Sequence, residues 1–73
     1  MEFHNPANTE IEIKTTLNNA TIEIYNILGQ LILKSKLTND TKLNVTELKT
    51  GTYFYNILSN GIKVEADKLI INH

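Results

Sequence analysis

The sequence predicts an all-β domain, a small immunoglobulin-like or Greek-key β-sandwich of about seven short antiparallel strands. Three observations favour this fold. Apolar and polar residues alternate along most of the chain, which is the pattern of half-buried strands. Turn residues recur about every 8–12 positions, the spacing that is typical of sandwiches. The apolar residues are mainly Ile and Leu, accompanied by many Thr and Asn, and β-branched side chains suit a pleated sheet.

Each predicted strand is an alternating run that is bounded by turn residues. In chain order the runs are residues 10–14, 21–25, 31–37, 42–45, 53–57, 62–64 and 68–71. In the third run we expect Leu31, Leu33 and Leu37 to face the core. Asn60 and Gly61 are expected to form a type I′ hairpin turn, because that turn needs positive φ at both central residues.

The length of 73 residues allows one domain. We expect residues 1–8 to be a linker or N-terminal segment and residues 9–73 to be the sandwich. A chain this short buries only about 60% of the surface that its unfolded form exposes, so its stability is marginal. It contains no cysteine, so disulfides cannot compensate for a small core.

Several classes of function are disfavoured by composition and motifs. The net charge is −1 and the scattered basic residues are all lysine, which argues against nucleic-acid binding. No apolar run approaches the ~20 residues of a membrane span. His4 and His73 stand at opposite ends of the chain, and there is no Gly-rich phosphate loop or triad signature. We therefore expect no enzymatic activity, no metal and no cofactor.

Residues 48–57, LKTGTYFYNI, concentrate three aromatic side chains behind a glycine. The order Leu48, Gly51, Tyr53 resembles the tyrosine corner of Greek-key sandwiches, in which a Tyr near the start of a strand bonds back to the upstream backbone. A buried phenol must satisfy its hydroxyl, and a tight corner brings a carbonyl within reach. The segment is therefore expected to be a central strand with its entry corner.

Phe54 and Leu58 alternate onto the opposite side of that strand, which should be solvated. Together with Ile32 they would form an exposed apolar patch that marks a partner site, unless a loop or terminal segment covers them. The outward charged groups most simply keep the sandwich soluble and discourage edge pairing, and the alternative is a partner surface. These groups are Glu10, Glu12, Lys14, Glu23, Lys34 and Lys36.

Taken together, the motifs resemble a known family, the C-terminal sorting domain (type A) of proteins exported by the type IX secretion system of Bacteroidota. The resemblance covers essentially the whole chain, in order and with the usual spacings. Its motifs are Asn5-Pro6; Tyr25, Asn26, Gly29 and Gln30; Leu48, Gly51 and Tyr53; and Lys68, Leu69, Ile70 and Ile71.

This resemblance implies that the domain is a targeting signal for a larger cargo, which would precede it in the same chain. The cargo would pass through the periplasm, and the outer-membrane translocon and its shuttle protein would recognise the sorting domain. A sortase-like protease would then cleave it, leaving the cargo at the outer membrane and cell surface or secreted.

The recognised surface is expected to include the last strand, because a strand at a sheet edge can pair with a strand of a partner. By family motif the recognition residues are Lys68, Leu69, Ile70, Ile71, Gly29 and Gly51. Leu48 and Tyr53 form the structural corner, and Asn5 and Pro6 form the N-terminal motif.

Two other functions remain open from the residues. The chain could be an immunoglobulin- or fibronectin-like binding module for protein or carbohydrate within a multidomain surface protein. It could also be a structural spacer or a self-associating strand donor. Position discriminates the first from a sorting domain, since a sorting domain must be C-terminal in its parent protein.

Overall fold

The computed structural model of the protein describes residues 2–3, by their backbone, and residues 10–73. These residues form only strands, turns and irregular segments, which confirms the all-β prediction. The strands are β1 (Glu2–Phe3), β2 (Glu10–Lys14), β3 (Ala20–Tyr25), β4 (Leu31–Leu37), β5 (Asp40–Asn44), β6 (Gly51–Ser59) and β7 (Ile62–Ile71).

The strands are arranged in two antiparallel sheets. Sheet A has the order β1-β2-β5, and sheet B has the order β4-β3-β6-β7. β3 and β4 form one hairpin and β6 and β7 form another, whereas the connections from β2 to β3, β4 to β5 and β5 to β6 pass from one sheet to the other. This interleaving is the sandwich architecture that the sequence predicts, and it places β7 at an edge of sheet B.

The core lies between the two sheets and is built from alternate residues of each strand. Each fully buried large aliphatic side chain contributes about 1.5–3 kcal/mol of hydrophobic free energy. The buried apolar residues are Ile11, Ile13, Ala20, Ile22, Ile24, Leu37, Leu43, Val45, Tyr53, Tyr55, Ile57, Leu69 and Ile71.

The β6–β7 hairpin has the turn that the sequence predicts. Asn60 and Gly61 have φ angles of 53° and 80°, and Ser59 pairs with Ile62 across the turn. Positive φ at both central positions is the requirement of a type I′ turn, and Asn and Gly tolerate it best.

The two final predicted strands are in fact one, which corrects the prediction. β7 is one strand from Ile62 to Ile71, and it pairs with β6 on both sides of a register shift that leaves Val64 out of the pairing. Residues 65–67, two of which are acidic, do not break it; instead, they pair with Ile57, Asn56 and Tyr55. Residues 62–68 are exposed, whereas Leu69 and Ile71 are buried. The first part of β7 therefore extends beyond the core, where polar side chains are acceptable.

Tyr55 links the core to this exposed part of β7. Its buried side chain points inward, and its hydroxyl donates a 2.8 Å hydrogen bond to Oε2 of Glu65. Burial, and then the hydrogen bond with the Glu65 carboxylate, raises the pKa of the Tyr55 hydroxyl far above its usual value. The hydroxyl is neutral at physiological pH, as tyrosine hydroxyls ordinarily are, and it acts as a donor.

The N-terminal segment is described only in part. Glu2 and Phe3 pair with Lys14 and Ile13 of β2, so these two residues, which lie in the predicted linker, belong to sheet A. The Asn5-Pro6 motif lies outside the described residues. The boundary of the sandwich at residue 9 stays a prediction.

Candidate functional site

Three motifs that are far apart in the sequence meet at one end of sheet B. β3 ends at Tyr25, β6 begins at Gly51 and β7 ends at Ile71. In the sheet register Tyr25 lies opposite Phe54, and Gly51 lies opposite Ile71. We call this region, residues 25–31, 51–54 and 68–73, the corner end. It is the candidate functional site because it gathers most of the residues that carry the family resemblance.

The β3–β4 turn at the corner end is organised by Asn26. Its Oδ1 accepts 3.0 Å hydrogen bonds from the backbone N–H groups of Leu28 and Gln30. Its Nδ2 donates a 2.8 Å hydrogen bond to Oε1 of Gln30, and its carbonyl accepts from the N–H of Gly29 at 3.0 Å. Gly29 has a φ of 81°, a conformation that favours glycine. The Asn-x-x-Gly-Gln motif is thus explained by turn geometry.

This turn displays its two remaining residues to solvent. Ile27 and Leu28 are 71% and 79% exposed, the highest values among the large apolar side chains that the structure describes as exposed. Sequence reasoning missed both residues, although two adjacent aliphatic residues inside a polar turn motif are a usable signal. Large apolar side chains that the fold keeps out of the core are candidates for partner contact.

Leu31 also belongs to this exposed set, which corrects the expectation that it faces the core. The β3–β4 register shifts after Ile24, so that Ile24 pairs with Leu33 while Tyr25 pairs with Leu31. Such a bulge moves the residues beyond it to the other face of the sheet. Leu31 is accordingly 49% exposed, whereas Leu33 packs partly against the core and Leu37 is buried.

The patch expected from Phe54, Leu58 and Ile32 is present in part. Phe54 is 47% exposed and Ile32 is 37% exposed, while Leu58 is half-buried. The side chain of Phe54 lies beside Tyr25 in the register. The Tyr25 hydroxyl donates a 3.0 Å hydrogen bond to Oε1 of Glu23, and chiefly this bond raises the pKa of that hydroxyl.

The entry to β6 has the geometry that a tyrosine corner requires. The buried Tyr53 donates a 2.6 Å hydrogen bond from its hydroxyl to the carbonyl of Lys49. Leu48 packs partly against the core, and its N–H bonds to the carbonyl of Val45 at 3.0 Å. Nε2 of His73 lies 2.5 Å from the Leu48 carbonyl, so the last residue of the chain contacts this corner.

The terminal motif separates into two pairs of residues with different environments. Leu69 and Ile71 are fully buried at 0% exposure, so their side chains serve the core. Lys68 is exposed and Ile70 is half-buried, and they alternate onto the outer face of sheet B. Of the other predicted recognition residues, Gly29 is exposed and Gly51 is half-buried.

Asn26→Ala is expected to lower the free energy of unfolding by about 1 kcal/mol, because two backbone N–H groups lose their acceptor. Asn26→Asp keeps that acceptor and is expected to retain most of the stability. Urea denaturation of both variants measures the difference. Equal losses would show that the Oδ1 contacts do not stabilise the turn.

Other kinds of site are not evident in the part of the chain that is described. Within residues 10–73, no cluster of His, Asp and Glu side chains is placed to hold a metal ion. The same residues include no helix with the length and apolar character needed to cross a membrane.

Comparison with known proteins agrees with the motifs. The model of a family described as "Secretion system C-terminal sorting domain" matches residues 3–72. The chain is also 33% identical over 72 residues to an "Endo-acting ulvan lyase" of Formosa agariphila. That match covers 94% of this chain but only 14% of the lyase. No solved structure matches this chain. Because the family model matches nearly the whole chain, the chain belongs to the secretion system C-terminal sorting domains.

Proposed function

We propose that this domain directs a larger cargo through the type IX secretion system, and that the secretion machinery recognises the exposed part of its corner end. The convergence of three family motifs at one end of sheet B carries the proposal. A shared recognition surface explains why motif segments so far apart in the sequence lie at the same end of one sheet, whereas stability alone does not explain the exposed Ile27 and Leu28.

The proposal assigns different roles to the residues of the motifs. Ile27, Leu28, Lys68 and Ile70 are the side chains that a partner contacts. Leu69, Ile71, Tyr53 and Leu48 act indirectly, by fixing the position of β7 and of the corner. Gly29 and Gly51 shape the backbone at the same end. The contact surface therefore contains only two residues of the terminal motif, Lys68 and Ile70, and not the whole motif as expected from the sequence.

Membership of the sorting-domain family supports the following proposed route. The cargo precedes the domain in the same chain and travels through the periplasm. There the domain meets the shuttle protein and the outer-membrane translocon, with β7 at the edge of sheet B available as one side of the contact. A sortase-like protease removes the domain, and the cargo is left at the cell surface or is secreted. The domain itself is a substrate and an address, with no catalytic role.

An export assay tests this function. The 73 residues are fused to the C-terminus of a fluorescent protein that carries a signal peptide, and expressed in a bacterium with a type IX system. We expect the reporter outside wild-type cells and in the periplasm of a translocon mutant. Retention in both strains, with the domain folded, would contradict the proposal and favour the immunoglobulin- or fibronectin-like binding module.

A matched pair of variants tests the corner end. Ile27→Ser with Leu28→Ser is expected to reduce export strongly. Ile62→Ser with Val64→Ser is the control, because these residues are 68% and 49% exposed but lie at the other end of sheet B. Equal export of the two folded variants would show that the machinery recognises another surface.

A further inference from the structure

The outer face of sheet B carries an uneven distribution of charge. In the sheet register, four outward positions of the edge strands β4 and β7 are lysines, while Leu31 and Ala66 occupy two others. Lys34 and Lys36 of β4 lie beside Glu23 and Thr21. On the opposite edge, Lys63 and Lys68 of β7 pair with outward residues of β6, Leu58 and Phe54 respectively. Lysines therefore border this face on both sides.

Acidic residues are scarce on the same face. Among the described residues the register places Glu23 there, and Glu23 Oε2 lies 3.9 Å from Nζ of Lys34. Glu65 and Asp67 of β7 lie opposite the inward residues Ile57 and Tyr55. The face is thus basic although the chain as a whole has a net charge of −1.

The row of this face at the corner end is apolar and aromatic, whereas the next row contains Glu23 and Asn56. Tyr25 and Phe54 are neighbours on β3 and β6, and Leu31 continues the same row on β4. Phe54 and Leu31 are 47% and 49% exposed. Accessible aromatic side chains are typical anchors of protein interfaces, and Lys68 of β7 lies beside Phe54 in this row.

Protection of sheet edges explains only part of this pattern. Lysines on edge strands discourage unwanted strand pairing, which accounts for the lysines of β4 and β7. It does not account for the exposed row of Leu31, Tyr25 and Phe54 at the corner end. A partner that brings carboxylates to the lysines and apolar side chains to this row accounts for both features.

We propose that the outer face of sheet B binds an extended acidic protein segment, whose apolar side chains contact Tyr25 and Phe54 and whose carboxylates pair with Lys36, Lys63 and Lys68. That this segment belongs to the secretion machinery rests on the proposed function. The binding itself does not, since it is a property of the face.

Titration of the isotope-labelled 73-residue chain by NMR tests the binding directly. The probe is an unstructured peptide in which Glu alternates with Phe and Gly, and the control peptide has Gln in place of Glu. We expect amide shifts along β3, β4, β6 and β7 with the Glu peptide, weakened by added salt because exposed charges are screened. Equal binding of the Gln peptide, or shifts confined to sheet A, would overturn the proposal.

Charge variants provide the matched comparison. Lys36→Glu with Lys68→Glu changes one lysine on each edge strand of sheet B, and we expect about tenfold weaker binding of the Glu peptide. Lys14→Glu with Lys42→Glu alters the net charge equally but on sheet A, and we expect binding to change less than about twofold. Lys→Gln versions of both pairs serve if a charge reversal impairs folding. Equal weakening by both pairs would contradict the proposal.

Two further outcomes are distinguished by the same samples. Binding to phosphatidylglycerol vesicles in preference to the Glu peptide would replace the protein segment by a membrane surface and overturn the proposal. Self-association of the chain in sedimentation, abolished by the sheet B variants, would overturn it in favour of a second copy. The export assay with these variants tests a separate claim. If the sheet B variants are exported as well as the wild-type domain, the result contradicts a role of the acidic segment in recognition but not the sorting function.

Discussion

Leu69→Ala is expected to lower the free energy of unfolding by about 2–5 kcal/mol, the cost of removing a large aliphatic side chain from a packed core. Leu69 is 0% exposed and pairs with Tyr53 across β6 and β7. A chain of 73 residues has a total stability of about 4–11 kcal/mol. The substitution is therefore expected to remove a large part of the stability of the domain.

Lys68→Ala is the matched control for this experiment, because the residue is adjacent in the same motif but exposed. Its effect is expected to stay within about 0.5 kcal/mol. Thermal and urea denaturation of the two variants provide the comparison. Similar stabilities for both would contradict the placement of Leu69 in the core. The result also matters for export assays, because loss of export in Leu69→Ala would report unfolding and not loss of a contact.

Tyr53→Phe is expected to cost about 1–2 kcal/mol, because it removes the hydroxyl that donates to the Lys49 carbonyl while keeping the buried ring. The loss is specific to the corner, which sets where β6 enters sheet B. Urea denaturation measures it, and the amide resonances of residues 46–50 are expected to shift in the NMR spectrum.

Tyr25→Phe serves as the control, since that hydroxyl bonds to Glu23 on the outer face of the sheet. A side-chain hydrogen bond near the surface is expected to contribute less than about 0.5 kcal/mol here. If Tyr25→Phe were as destabilising as Tyr53→Phe, the special contribution of the corner would be refuted.

Local patterns predicted much of this fold. Alternation located β2, β3 and β6 because side chains on a strand alternate between faces whatever the partner strand is. Asn60-Gly61 predicted its hairpin because the turn depends on the φ preferences of two residues. The break proposed between residues 64 and 68 was wrong because polarity there reflects the absence of a covering layer and not the end of a strand.

Features that depend on register were not predictable from the sequence. By alternation, Leu31 would lie on the same face of the strand as Leu33, which is two residues away. Only the register shift after Ile24 moves Leu31 to the opposite face. The convergence of the turn after Tyr25 with the end of β7 likewise depends on strand order. The resemblance identified the motif residues, but the exposure of Ile27 and Leu28 and the burial of Leu69 required the three-dimensional arrangement.

The unequal burial of β7 has a further consequence for local opening. Residues 62–66 have backbone hydrogen bonds to β6 but little apolar packing, so they can detach without disrupting the core. Leu69 and Ile71 can leave only when the core itself comes apart. Amide hydrogen exchange along this single strand therefore reports two free energies. Near the hairpin it reports a sub-global opening, and near the last residues it reports the global unfolding of the domain.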